Sequence, residues 1–405
     1  MQVQSSVAYP PKEPETQQDQ PQDQKSIFKA VLDESNVAKI LKVANQELTV
    51  PTTFPHSTNQ GATEYIYEPA TWWTTGFFPG SVWALVERAS KRKMSTSFDD
   101  LVKVARKWED AVESQKNNTN THDIGFMIMP SFQRDLDVTG NKACQEVIIT
   151  AAESLMTRWS DTVQCFRSWN STRTKEYEYN DKDKYFLVII DNMMNLDLLY
   201  SASLLSGDPK YAEHATKHAE TTLKHHIRAD DSTYHLIVYD ATNGDVMASL
   251  THQGYQHEST WSRGQAWALY GYAIVYKYTK DRKYLDAAKR LANYFMTRVE
   301  DGVVYWDFDA PRPCFWDTSA AMIACSGMLL ICELENSLEY LPQVTSILKA
   351  CVNGALTPEN GATILDHSTV NNHEHANVRS ADTGLVYADY YFLEVGNRLI
   401  DMGLA

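Results

Sequence analysis

The chain has 405 residues, with 37 Lys and Arg against 52 Asp and Glu and a formal net charge of −15. That length allows two or three average domains or one large helical barrel, with ample material for a core. At 43% hydrophobic and 11% aromatic residues the composition is that of a packed globular protein. So acidic a balance disfavours nucleic acid and anionic membranes as partners, since both are met by basic patches. An anionic small ligand would need a local positive site inside the negative surface.

Residues 1–26 are rich in Gln, Pro and Asp and offer little apolar surface, which predicts a disordered tail preceding a single domain over 27–405. They lack the basic start and apolar stretch of a secretory signal, and no run reaches the roughly 18 apolar residues of a membrane span. The six cysteines at 144, 165, 314, 325, 332 and 351 form no C-x-x-C pair. Free thiols in a reducing, cytoplasmic compartment are expected, without a zinc site.

Beyond the tail, helical periodicity predicts about twelve helices, over 27–46, 78–91, 98–115, 125–136, 141–158, 187–205, 208–227, 261–279, 281–298, 316–334, 336–353 and 383–398. Strand-like pieces interrupt them at 234–239 and 303–308. Three junctions look alike: Thr139-Gly140-Asn141, Ser206-Gly207-Asp208 and Thr279-Lys280-Asp281. Each puts Asn or Asp where a helix N-cap is wanted, and the helices that follow align Ala152, Ala219 and Ala292. A recurring helical hairpin points to a solenoid or a closed toroid. The long, aromatic-rich connections 46–77, 159–186 and 228–260 are unlike a uniform solenoid. They favour an all-α (α/α)6 barrel of six inner and six outer helices, with its site built from loops at one end.

Several segments carry candidate chemistry. In Thr260-Trp261-Ser262-Arg263-Gly264-Gln265-Ala266-Trp267, Arg263 and Trp267 share one face near a helix start. A guanidinium there suits a carboxylate or sulfate, and the indole offers a flat surface for a sugar; a structural cation–π pair is the bland alternative. Trp72 and Trp73 lie just ahead of another helix, and Trp169 stands in the polar run Arg167-Ser168-Trp169-Asn170. Asp191 follows four apolar residues and precedes two methionines, a setting that desolvates a carboxyl and raises its pKa toward general-acid work. Asp123, in Thr121-His122-Asp123-Ile124-Gly125-Phe126, stands at a similar place. Either aspartate could instead be a helix cap. The His122-Asp123 step also occurs in metal-dependent HD-type phosphohydrolases, but His56 is the one histidine upstream. His214 and His218 have an i,i+4 spacing that metal ligands share with many exposed histidines. His373 and His375 are expected to be solvated or at a pocket rim.

Together these motifs resemble glycoside hydrolase family 88, the unsaturated glucuronyl hydrolases. The resemblance is carried by Trp73–Gly80 (W-T-x-G-F-x-x-G), His122–Phe126 (H-D-x-G-F) and Ile190–Leu196 (I-D-N-M-M-N-L). It continues through His252–Tyr255, Thr260–Trp267, Trp316–Ala321 and Ala388–Glu394, in order along the chain. It implies a six-hairpin barrel that removes a Δ4,5-unsaturated uronic acid from the non-reducing end of lyase-generated oligosaccharides, by hydration of the C4=C5 vinyl ether. Carried over, Asp191 is the general acid and then base, and Asp123 the second carboxylate. Trp73, Trp169, His235, Gln253, Arg263 and Trp267 line the sugar subsite, with His122 and Trp261 of the same motifs counted beside them. The family uses no metal or organic cofactor. The partner is then an unsaturated uronyl oligosaccharide, with monomer and homodimer both open. The segment Leu365–Ser380 does not match the family's serine-bearing specificity loop clearly, which leaves the parent polysaccharide undecided. The related unsaturated rhamnogalacturonyl hydrolases and a non-catalytic barrel that binds acidic oligosaccharides are the alternatives.

Overall fold

Left-handed turns and short polar caps cut the chain into helical hairpins. The computed structural model describes residues 20–46 and 51–405. Among them the helices are α1 Gln20–Val31, α2 Glu34–Ala44, α3 Phe77–Lys91, α4 Phe98–Asp110, α5 Ile124–Thr139, α6 Ala143–Met156 and α7 Asn192–Ser206. They continue with α8 Lys210–His225, α9 Ser262–Thr279, α10 Arg282–Thr297, α11 Thr318–Glu335, α12 Leu341–Gly354 and α13 Val386–Asp401. The first predicted helix is two, broken at Asp33, whose side chain caps α2. Residues 20–26, expected in a disordered tail, belong to α1, and residues 1–19 lie outside the described part.

The three matching junctions are the same physical turn. Gly140, Gly207 and Lys280 are all left-handed, with φ of 74°, 74° and 56°. Asn141, Asp208 and Asp281 each accept a backbone N–H two residues on, from Ala143, Lys210 and Lys283. Asn336 closes α11 in the same left-handed way, a fourth instance that its sequence does not advertise.

Helices α3, α5, α7, α9, α11 and α13 pack one against the next, and α13 returns to α3. That last contact closes a ring, which an open solenoid lacks. The fold is an (α/α)6 barrel, with α4, α6, α8, α10 and α12 each lying outside the inner helix that precedes it. Composition sorts the two layers. Outer α10 buries Tyr284, Ala288, Leu291, Ala292 and Phe295 along one stripe, whereas inner α9 is buried continuously from Ser262 to Val275. Inner α11 is long and apolar enough to cross a membrane, contrary to the expectation that no such run exists. Its residues Thr318–Cys332 are buried in the barrel, which accounts for that composition.

Every inner helix starts at the same end, after a long connection, and all but α13, the last element, leave by a shorter turn to an outer partner. Six helix N-termini therefore converge on one mouth, and their dipoles supply positive potential there. The connections fold as small antiparallel sheets, the largest pairing Tyr185–Ile189, Leu236–Asp240 and Val246–Leu250. The helix expected from residue 187 is thus preceded by a strand that takes its first turn. The unbroken Tyr-Phe-Leu-Val-Ile run of that strand has no helical stripe, and it is buried from Phe186 onward. The strand expected at 234–239 forms, whereas 303–308 makes only isolated bridges such as Tyr305 to Trp316.

Candidate active site

Two aspartates stand at the starts of neighbouring inner helices, Asp123 before α5 and Asp191 before α7. These two helix starts are locked together. The Phe126 N–H donates to Asn195 Oδ1 at 2.9 Å, and a Cβ on Gly125 would lie 2.5 Å from that same oxygen. Gly76 does the same for α3, since a Cβ there would meet the carbonyl of Phe126 at 2.2 Å. The glycines of the W-T-x-G-F and H-D-x-G-F steps thus let three helix starts approach closely.

Neither aspartate caps its helix through a side-chain hydrogen bond. Asp191 is buried, and its Oδ2 has no hydrogen-bond partner. Burial pushes its carboxyl up to about 7, against the pull of Arg263 and with the Asp123 charge adding to the rise. His235 Nε2 is 3.9 Å from that Oδ2. His235 Nδ1 accepts the backbone N–H of His252 at 3.0 Å, so the ring carries its proton on Nε2, facing Asp191. Burial, with His252 and Arg263 near, keeps this imidazole far below its usual value and therefore neutral. Asp123 is held differently: its Oδ2 accepts from the Thr121 hydroxyl at 2.7 Å, and Oδ1 is 3.2 Å from His122 Nε2.

Aromatic rings line the mouth in two tiers. Trp73 and Trp169 are partly exposed, Trp73 against Phe77, Phe126 and Tyr387, and Trp169 against His235 and His252. Behind them Trp261 lies on His235 with ring centroids 4.6 Å apart, and Trp267 packs on Phe126 at 5.0 Å. Trp261, Trp267 and His122 are sealed from solvent, so they back the wall rather than face the opening.

Arg263 is more constrained than its sequence position suggests. It pairs with Asp317 at 2.6 Å and donates to the carbonyls of Thr369 and Val370, both at 2.6 Å. Gln253 Nε2 donates to the Val370 carbonyl at 2.9 Å. Both side chains therefore fasten the strand Ser368–Asn371, which lies in the unmatched segment 365–380 and pairs in a hairpin with Ser380–Thr383. Ser368 is buried there against the Thr318 hydroxyl.

Two participants escape a reading of the sequence. Asp317 lies inside the W-D-T-S-A-A step but reveals its partner only in three dimensions. Tyr387, just ahead of the A-D-Y-Y-F-L-E run, is buried, with its hydroxyl lacking a hydrogen-bond partner. Its electrostatic neighbours are Arg263, Asp317 and Asp191. His373 is buried rather than solvated, with Nδ1 on the Gly254 carbonyl at 3.0 Å.

Elsewhere, Glu109, Asp135 and Cys144 bring ligand atoms within 4.8 Å of one another, the one such group among the described residues. Asp135 is already bonded to Arg106, Thr139 and Asn141, and burial pushes Glu109 up to about 9, so Glu109 keeps its proton rather than offering a charged ligand. Neither His122 nor Asp123 belongs to it. A cavity of about 470 Å³ between Tyr200, Leu204, Ala212 and Tyr278 is lined by neither aspartate.

Paired aspartates at a barrel mouth invite comparison with known glycosidases. The profile of Glycosyl Hydrolase Family 88 matches residues 43–376. The chain belongs to glycosyl hydrolase family 88. An unsaturated glucuronyl hydrolase from Formosa agariphila is 41% identical over 360 residues, covering 85% of this chain and 84% of that one. The crystal structure of an unsaturated glucuronyl hydrolase specific for heparin matches with a TM-score of 0.80 at 32% identity, covering 96% of this chain and 99% of the other. A further structure, of an aspartate-to-asparagine variant with dGlcA-Glc-Rha-Glc, matches with a TM-score of 0.79 at 27% identity, over 95% and 97% of the two chains. The barrel is thus shared with these two structures over 95% or more of this chain.

Proposed function

We propose that this family 88 hydrolase releases a Δ4,5-unsaturated uronic acid from the non-reducing end of lyase-generated oligosaccharides, with Asp191 as the acid–base group. The observation that carries the assignment is a buried carboxyl raised to about 7, with one oxygen unpartnered, beside a neutral imidazole of fixed tautomer. A carboxyl in that state holds a proton at neutral pH and can deliver it.

Protonated Asp191 gives its proton to C4 of the vinyl ether while the positive charge develops at C5 and the ring oxygen. The resulting carboxylate then accepts a proton from the water that adds to C5, and the hemiketal so formed opens and expels the aglycone. One water is consumed and Asp191 ends protonated, ready for the next turnover. Asp123 stays fixed by Thr121, orients the sugar hydroxyls, and favours the protonated form of Asp191 by like charge. Trp73 and Trp169, at the partly exposed tier, are suited to flank the sugar ring. Trp261, Trp267 and His122 hold that tier from behind, while Arg263 and Gln253 set the strand that closes the opposite wall. The helix N-termini around the mouth favour the uronate carboxylate. The barrel over 27–405 acts as one catalytic unit.

The test follows the ultraviolet absorbance of the conjugated C4=C5 bond on a panel of lyase products differing in aglycone and sulfation. Wild type is expected to consume the chromophore on at least one of them, and Asp191→Asn to bind without consuming it. Binding without consumption by the wild type would make the barrel a lectin-like binder, and full activity in Asp191→Asn would remove that residue from the acid role.

A further inference from the structure

A second cavity, of about 470 Å³, is walled by Thr119, Arg158, Trp159, Arg167, Asn170 and Phe186. Two arginines share it, and among the described residues neither lies within ion-pair distance of a carboxylate. Arg158 is buried and uses four of its five N–H donors on neutral acceptors: the carbonyls of Thr119, Arg167 and Ser168 and the Asn170 side chain. Arg167 has its guanidinium carbon over the Phe186 ring, 4.3 Å from the centroid, and uses two donors, on the carbonyls of Tyr185 and Lys182. The pair therefore keeps surplus donors, held rigidly, next to one space. Burial and the repulsion of Arg167 pull Arg158 down to about 10, although the Asp123 charge acts the other way.

We propose that this cavity is a binding site for an oxyanion carried on a small polyhydroxylated molecule, a uronate or sulfated monosaccharide. Arg158 and Arg167 would hold the carboxylate or sulfate, as guanidinium forks do. The hydroxyls of Thr119, Thr157 and Ser160 and the amide of Asn170 line the same space and suit sugar hydroxyls, with Trp159 and Phe186 as flat walls. The volume falls in the range of small-molecule sites. The site is distinct from the catalytic mouth but adjoins it: Asn170 follows Trp169, the Arg158 charge lowers His122, and the Asp123 charge acts on Arg158. Neither aspartate lines this cavity, so a negative result here leaves the catalytic reading standing.

Calorimetric titration of the full chain at fixed ionic strength tests it with sodium glucuronate, sodium sulfate and glucose as probes. The expected result is saturable glucuronate binding that weakens at least tenfold in Arg167→Gln, weaker sulfate binding lost in the same variant, and no glucose signal that the variant removes. Arg167→Lys, which keeps the charge without the fork, should fall between. If Arg167→Gln fails the circular dichroism control, Arg167→Lys and Asn170→Ala carry the comparison. Equal glucuronate affinity in wild type and variants overturns the assignment. So does binding that disappears in Gln253→Ala but survives in Arg167→Gln, which would move the ligand to the catalytic mouth. Sulfate binding as tight as glucuronate would overturn the sugar and leave a free oxyanion as the ligand.

Discussion

Replacing Asp191 by Asn should stabilise the protein, and by an amount that grows with pH. In the unfolded chain Asp191 ionises at its ordinary 3.8, and in the folded chain at about 7, chiefly because burial penalises the charge. Between those two values the native state binds more protons, so stability falls as pH rises through them and is level above. At ~1.4 kcal/mol per decade the full loss is ~4 kcal/mol, a sizeable share of the stability of a typical domain. Asp191→Asn keeps the shape and cannot ionise, so it escapes this loss. Any fixed packing or hydrogen-bonding cost of the amide is the same at every pH and drops out of the trend. Urea unfolding of wild type and variant should therefore diverge, the variant gaining ~2.5 kcal/mol on the wild type from about pH 5 to about pH 8. A gap that stays constant or closes over that interval would mean that Asp191 is not held protonated, and the acid role would lose its basis.

Other consequences follow from the same geometry. Asp123→Asn removes the like charge acting on Asp191, so the alkaline fall in kcat/KM should move to lower pH by about half a unit to one, read from the pH–rate profile. Arg263→Met leaves Asp317 buried without its counter-charge and frees the Thr369 carbonyl, and should cost ~3–5 kcal/mol in chemical denaturation. Adding Asp317→Asn, which removes the buried charge but keeps an acceptor for the Ser319 and Ala320 N–H groups, should recover much of that loss, whereas no recovery would show that the buried charge is not the source. Lys280→Gly relieves a left-handed residue at the α9 C-cap and should raise stability by ~0.5–1 kcal/mol, seen as a higher thermal midpoint.

The barrel is readable in the sequence because its hairpins repeat a turn. Asn141, Asp208 and Asp281 mark outer-helix starts, and the apolar runs of α9 and α11 mark the inner wall. What stays hidden depends on tertiary partners. The unbroken apolar run Tyr185–Ile189 runs straight into the apolar start of α7, and only its pairing with Leu236–Asp240 shows where strand ends and helix begins. The catalytic candidates are legible as types: an Asp between apolar neighbours reads as desolvated, and Asp191 is. Their arrangement is not, because the approach of Asp123 and Asp191 rests on Gly125 meeting Asn195, 70 residues away in sequence. Arg263 reads as a free anion receptor because its partner Asp317 and the strand it fastens lie far along the chain. The net charge of −15 looks awkward for an acidic substrate. Six inner helix starts at one mouth provide the local positive field that composition alone could not show.

Hydration can be told from direct glycosidic cleavage by the fate of the C4=C5 bond in the released sugar. A lyase-generated disaccharide should be turned over in D2O and followed by NMR from the first turnovers. Delivery of the proton to C4 from Asp191 requires loss of the double bond together with aglycone release and one deuterium at C4, on a single face, with neither event in Asp191→Asn. Release of a sugar that still carries its C4=C5 bond would contradict the account.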